Sequence, residues 1–514
     1  MPNGSTDPVF QLIKSLTRSE KRHFRLSADR PGAAEELKFL QLFDALDQLP
    51  NYDEERILAL APAIKKAQLA NLKANLYRQL LSDLRLYHAG QNVDIQLHEQ
   101  LGYARVLYNK GFYQQSLKML DKVKSTATQQ QLSHIALLAL DFEKLIESQF
   151  ITRSLEGRAE ELASESAGTA GQVSQLHALS NAALQMYGLY LKTGHARNQQ
   201  DYEQVTAFFR GLLPRTNVQR SGFFEQLYYY QAHVWYYTIV QDFTAGYRYA
   251  HKWVELFEQT PDMKNQQTML YIKGLHNLLA ALFNTLYYSR FREVLATLKA
   301  FANDSNRRST PNIEALLFQY IATNDINLHF LEGRFTEGLA LIPDLLGQLD
   351  EYRLQLDVHR RLVFYYKIAS LYFGSGDNEK AIEYLTKIIQ FKEVSLREDI
   401  QCFARILNLI AHYEAGQDEA LDYQIKSVYR FLGKMNEQQQ MQVAIFRFLR
   451  TVGDLTPGEL KGAFTNLKNQ LIAIAVNPLE RRPFLYLDII SWLESKIENV
   501  PVQEIMQRKF RAMK

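Results

Sequence analysis

Apolar residues recur along the chain at intervals of three and four, as in Leu101, Ala104, Leu107 and Tyr108 or Ile368, Leu371 and Tyr372, while sustained alternation with period two is missing. Such spacing gathers apolar side chains on one face of a 3.6-residue helix, so the pattern predicts helix throughout. Helix entries are encoded as well. Asp7-Pro8, Thr310-Pro311 and Thr456-Pro457 each place a capping side chain before a Pro at the first helical position. Thr17 with Glu20 and Thr456 with Glu459 have the spacing of a capping box. Near the start, the pattern predicts short helices from Pro8 to Leu16 and from Arg18 to about Leu26, then a loop around Asp29 to Gly32. Longer helices follow from Ala34 to Leu49 and, after the break at Pro50-Asn51, from Asp53 to His88.

From residue 91 onward a second rhythm overlies the first: a helical stretch ends in Gly and another begins within a few residues. Gly111, Gly194, Gly333, Gly376, Gly416 and Gly453 mark such places. Gly is favoured just past a helix end because the left-handed backbone there carries no side-chain penalty, and so short a link sends the next helix back antiparallel. From Gly333 the intervals are 43, 40 and 37 residues, and Gly111 to Gly194 spans two units with an unmarked turn expected near Arg153. Two further turns are expected at Gln241-Asp242-Phe243 and at Ser289-Arg290-Phe291.

Within these units Tyr365, Ile368, Ala369, Tyr372, Gly376, Ala381, Leu385 and Ile388 resemble the tetratricopeptide pattern, as do Ala104, Leu107, Gly111, Tyr113, Ser116 and Leu120. Small residues such as Ala369 and Ala381 let paired helices approach closely, and the aromatics fill the groove to the next pair. The spacing of roughly 40 to 48 exceeds the 34 residues of that family, and its usual closing Pro is absent. The resemblance implies an all-α fold, a right-handed α-solenoid of antiparallel hairpins. Residues 1–90 would form an N-terminal helical cap or small domain, 91–453 the solenoid and 454–514 the C-terminal capping helices.

Composition narrows what such a chain does. A 46% hydrophobic and 22% charged content is that of a folded protein, and its 514 residues exceed a single ordinary core. A net charge of +3 argues against general binding to nucleic acid or membrane surfaces. The one cysteine, Cys402, allows no internal disulfide and no thiolate cage for zinc, and no signal-like or membrane-spanning stretch appears, so a cytoplasmic location is expected. Neither a Gly-rich phosphate loop nor His-Glu-x-x-His, Gly-x-Ser-x-Gly or a Cys/His cluster occurs. No catalytic residue, metal ligand or cofactor is therefore expected, and the chain is not read as an enzyme. His276, His329 and His359 are read as structural.

The resemblance instead implies a scaffold or adaptor that binds a protein or peptide along the first helices of its hairpins. Register against the turn glycines puts Gln185, Gln231, Trp235, Asn324, Asn327, Tyr366, Ser370 and Tyr413 on that concave face, with Asn and Gln suited to an extended peptide's amides and carbonyls. Tyr228, Tyr229 and Tyr230 lie about 100° apart on a helix, so at least one faces outward, and Tyr228 joins the candidate contacts. Lys14, Arg18, Lys21, Arg22, Arg25 and Arg30 crowd the first helices with only Glu20 and Asp29 to offset them, and Arg508, Lys509, Arg511 and Lys514 crowd the end. Such clusters contact acidic partners or phosphate, which gives an alternative: a peptide-responsive regulator of bacterial type whose N-terminal region touches nucleic acid.

Overall fold

The computed structural model describes residues 7–28, 34–90, 92–149, 157–214, 221–307, 309–352, 355–391, 398–416, 425, 428, 440–452, 455–480 and 488–513. Among them all regular structure is helical, and no strand occurs. Arg30, Lys514, the Asp29 to Gly32 loop, the turn expected near Arg153 and Gly453 lie outside the described residues. The chain separates into two compact units, Met1–Ser174 and Gln175–Lys514, the division falling inside the long helix Arg158–Thr193.

The first unit contains α1 (Pro8–Ser15), α2 (Arg18–Ala28), α3 (Ala34–Gln48), α4 (Glu54–Leu60), α5 (Lys66–Ala89), α6 (Val93–Asn109), α7 (Tyr113–Gln129), α8 (Ser133–Gln149) and the first half of α9 (Arg158–Thr193). Asp7 caps α1 through its carboxylate, and Thr17 and Glu20 exchange the two capping-box hydrogen bonds. The single helix expected from Asp53 to His88 is two. Pro62 cannot continue a helix and restricts Ala61 before it, so α4 ends at Leu60 and α5 starts at Lys66. Phe10, Ile13, Phe24, Phe43, Leu46 and Leu76 close one core among α1–α5, while Leu97, Leu117, Leu120, Ile135 and Phe142 close another among α6–α8. Glu143, only 1% exposed, is held on α8 between Lys124 of α7 at 3.2 Å and Arg158 at the start of α9.

The second unit continues from Gln175 through α10 (Gln199–Leu212), α11 (Phe223–Ile239), α12 (Phe243–Gln259), α13 (Asp262–Gln266), α14 (Thr268–Asn284), α15 (Tyr288–Ala302), α16 (Pro311–Glu332), α17 (Phe335–Gly338) and α18 (Ile342–Glu351). Then come α19 (Val358–Ser375), α20 (Asn378–Ile389), α21 (Glu398–Glu414), α22 (Gln440–Thr451), α23 (Pro457–Ile474), α24 (Ile489–Glu498) and α25 (Val502–Met513). Left-handed residues stand at Gly194, Gln241, Leu286, Gly333, Gly376 and Gly416, so successive turns fall 40 to 47 residues apart. Gln241 sits where a turn was expected without Gly, and the other unmarked turn lies at Leu286, three residues before Ser289.

First helices touch first helices, α14 against α16, α16 against α19 and α19 against α21, while α12, α15, α17 and α20 pack between them. The last helices do more than extend this row. Gln507 on α25 donates to Gly333 O at 3.1 Å, Thr336 N donates to Gln503 Oε1 at 2.9 Å, and Phe510 meets the Tyr288 ring at 4.7 Å. On α24, Trp492 Nε1 and Lys496 Nζ both donate to the Glu414 carboxylate, at 2.8 and 2.6 Å. Helices α24 and α25 thus meet residues that stand 78 to 222 positions earlier in the chain.

Candidate functional site

The first helices of the second unit carry two groups of polar and aromatic side chains, one on α9 and α11 and one across α14, α16 and α19. On α11, Trp235 stacks on Tyr190 at 5.3 Å and meets Tyr187 at 4.7 Å, both from α9. On α14, the His276 ring lies flat against Tyr320 of α16 at 3.8 Å. Asn324, fully buried one turn further along α16, donates one amide hydrogen to Tyr320 O at 2.7 Å and turns the same nitrogen toward His276 Nδ1 at 3.3 Å. An amide nitrogen only donates, so His276 Nδ1 accepts and its proton sits on Nε2. Asn327 Nδ2 then donates to Asn324 Oδ1 at 3.3 Å, and Lys367 Nζ of α19 donates to Asn327 Oδ1 at 2.5 Å. The chain from His276 to Lys367 thereby links α14, α16 and α19.

Its charge is one-sided. Among the described residues no carboxylate pairs with Lys367 or Lys273; burial alone pulls the Lys367 ammonium down to about 8, and burial with the Arg360 charge lowers Lys273. Burial, then the charges of Lys367 and Arg360, hold His276 down at about 3, so its ring is neutral. Both Lys367 and His276 keep partial solvent contact although protein surrounds their charged atoms. Burial also raises the Tyr320 phenol, and the Tyr187 phenol of α9 adds to the effect although α11 and α14 intervene in sequence.

The residues expected on the concave face fare differently. Gln185 is exposed on α9; Tyr228, Gln231 and Trp235 are half-buried on α11, and the buried Nε2 of Gln231 has no hydrogen-bond partner among the described residues. Asn324 and Asn327 are buried, with their amides engaged by neighbouring side chains. Tyr366 and Ser370 are buried too, and the Ser370 hydroxyl donates to Tyr366 O within α19. Tyr413 is a packing residue against Phe464 and Trp492. None of Tyr228, Tyr229 and Tyr230 is fully exposed, because Tyr229 and Tyr230 join His233, Tyr237 and Tyr249 in a ring cluster between α11 and α12. Sequence reasoning missed Lys273, Arg360 and Lys367. The signal was a lone cation inside an apolar helical run, Tyr365-Tyr366-Lys367-Ile368-Ala369 and Tyr271-Ile272-Lys273-Gly274.

The basic cluster near the start is partly neutralised by a helix that the sequence reading did not bring to it. Lys21 and Arg25 pair with Asp47 and Asp44 of α3 at 2.6 and 2.8 Å, and Lys14 donates to Asp47 O; Arg18 and Arg22 stay exposed. At the other end Arg508 pairs with Glu498 and Lys509 with Glu494. Among the described residues no group of His, Cys, Asp and Glu is placed to hold a metal ion, and no helix is long and apolar enough to cross a membrane. Comparison of the chain with protein-family models, with curated proteins and with solved structures found no match.

Proposed function

We propose that this chain is a binding scaffold whose second unit is a right-handed α-solenoid of tetratricopeptide-like hairpins, with an extended peptide or protein segment as ligand and no catalytic role. The carrying observation is that successive first helices bring aromatic and amide side chains together in two groups, Tyr187, Tyr190 and Trp235 on α9 and α11, and His276, Tyr320, Asn324, Asn327 and Lys367 on α14, α16 and α19. Trp235 together with exposed Gln185 and half-buried Gln231 suits an extended backbone, because rings add apolar area at low entropic cost and amides donate and accept together. The resemblance of the hairpins and their 40 to 47 residue beat supports the architecture, and a cytoplasmic location fits the single buried cysteine. The engagement of Lys21 and Arg25 by Asp47 and Asp44 weighs against the nucleic-acid alternative.

A photo-crosslinking amino acid placed in native host cells at Gln185 or Gln231, and at exposed Glu379 on α20 as the control, tests the reading. Discrete adducts at the first two positions, lost on Trp235→Ala, are expected. Adducts of equal yield at Glu379, or adducts indifferent to Trp235→Ala, would overturn it.

A further inference from the structure

The hairpin that begins with α16 differs from its neighbours in its return helix. Where α12, α15 and α20 each run unbroken, this return is cut into α17, a 3-10 turn over Leu339–Leu341 and α18. Pro343, at the start of α18, has no N–H to give Leu339 O, and its ring would crowd that carbonyl in a continuous helix. Leu339 O accepts from Ile342 N instead. Gly338 lets α17 lie against His329 of α16 and Leu371 of α19, where a β-carbon would fall 2.8 Å from the leucine. Beyond the break, α18 does not pack closely on α16, and a cavity of about 240 Å³ lies between them.

Phe318, Ala322 and Ile326, four residues apart on α16, form one wall, and Leu341 and Leu345 form the other. Two residues of offset, about 200°, turn that face of α16 away from Tyr320 and Asn324. Phe318 is held by the rings of Tyr352 and Phe364, at 5.4 and 5.9 Å, so the cavity has its shape without a ligand. Its mouth is acidic. Asp344 and Gln348 are exposed at the rim, while Asp325 is already paired with Lys299 of α15 at 2.5 Å. From Phe335 to Glu351 the chain carries Glu337, Asp344, Asp350 and Glu351, all exposed, and no Lys, Arg or His, in a protein whose net charge is +3. Among the described residues no cation pairs with any of the four.

We infer that the cleft between α16 and α18 seats a bulky apolar side chain, Leu or Phe, of a partner segment rich in Lys and Arg, whose cations meet Asp344 and the other acids of α18. The volume sets the size of the anchor, since an apolar cavity of about 150 Å³ already holds benzene. The rim sets its charge, because an acidic mouth repels an acidic segment and draws a basic one. The cleft is a second contact, apart from Gln185, Gln231 and Trp235, and it stands whether or not a peptide lies along those residues.

The full chain is titrated calorimetrically at low salt with the end-blocked peptide Lys-Lys-Leu-Phe-Lys-Lys. A second peptide has Ser-Ser at its centre, which removes the anchor, and a third has Glu for each Lys, which reverses the charge. Saturable one-to-one binding of the first peptide alone is expected. Ala322→Leu, which fills the cavity from its half-buried wall, should weaken that binding at least about tenfold. Gln348→Lys, an exposed change that leaves folding intact and offers Asp344 an internal partner one turn away, should weaken it about two- to fivefold. Glu379→Gln, on the exposed face of α20, should change nothing. Absent binding, equal binding of the serine or glutamate peptide, or binding indifferent to Ala322→Leu and Gln348→Lys would overturn the proposal. So would sedimentation showing a dimer that Ala322→Leu dissociates, which would give the cleft to a second copy of the chain.

Discussion

The ring of Phe335 on α17 covers Gly374 on α19 so closely that a β-carbon at Gly374 would overlap Phe335 Cγ and Cδ1. Gly274 stands in the same relation to Trp253, with a β-carbon falling 2.9 Å from the indole. Both pairs join the second helix of one hairpin to the first helix of the next, so glycine here sets how closely hairpins stack.

Gly374→Ala therefore sets overpacking against helix propensity. Forcing a methyl into a filled core costs about 1 to 3 kcal/mol, while replacing Gly by Ala inside a helix returns about 1. A net loss is expected because Phe335 is itself buried and has nowhere to move. Gly188 on α9 has open space around its Cα, so Gly188→Ala should raise stability by up to about 1 kcal/mol. Denaturant midpoints of the two variants should move in opposite directions; a shared sign would show that the Phe335 contact does not govern the stacking.

How much of this was legible in the sequence depends on whether a feature is local. Asp7, Thr310 and Thr456 cap their helices as their spacing predicts, because a cap is settled within four residues. Gly111, Gly194, Gly333, Gly376 and Gly416 all adopt the left-handed backbone expected of turn glycines. Gln241 and Leu286 do the same without Gly, which only the period revealed. Side-chain direction was less legible. The turn register sets Asn324, Asn327 and Tyr366 on the face expected to be open, whereas all three are buried, since what covers a helix face is settled by the helices packed on it. The neutralisation of Lys21 and Arg25 by Asp47 and Asp44, and the return of α25 to Gly333, are tertiary pairings that no local pattern records.

Lys367 has an expected signature in stability. Its ammonium titrates near 8 in the folded chain against 10.5 for an ordinary lysine, so between those values the unfolded chain holds more protons and native stability rises with pH. Below about 8 both states are charged and the full desolvation penalty persists. Lys367→Met should thus stabilise the protein at pH 7 by about 1 kcal/mol, at the low end of what replacing buried charge by an apolar side chain yields. That advantage should shrink by pH 9.5. Denaturant midpoints at the two pH values provide the comparison, and an advantage that grows with pH would contradict a desolvated ammonium.

Glu143 makes the opposite case, a buried carboxylate with both of its cations in place. Glu143→Gln preserves the shape but leaves Lys124 and Arg158 facing a neutral amide. Removing one partner of a buried ion pair costs about 3 to 5 kcal/mol; here about 2 to 3 is expected, since Lys124 and Arg158 keep some solvent contact and Lys124 also reaches Glu165. Because the triad ties α7 and α8 to the start of α9, protection of α8 amides from hydrogen exchange should fall. Unchanged exchange there would mean that the apolar core alone holds these helices.

His233 couples the aromatic cluster of α11 and α12 to pH. Burial against Tyr229 and Tyr249, opposed in part by its Nδ1 hydrogen bond to Tyr229 O at 2.8 Å, holds the imidazole at about 4. The unfolded chain protonates this group near 6.5, so below that pH it binds a proton that the native state refuses, and stability falls as pH drops toward 4. One such group contributes a slope of about 1.4 kcal/mol per pH unit in that window. His233→Phe keeps the ring stack and removes the titrating nitrogen, so its stability between pH 6.5 and 4.5 should decline less steeply than that of the native sequence. Urea midpoints across that range measure the two slopes, and parallel slopes would mean that His233 takes up its proton in the folded state as readily as in the unfolded one.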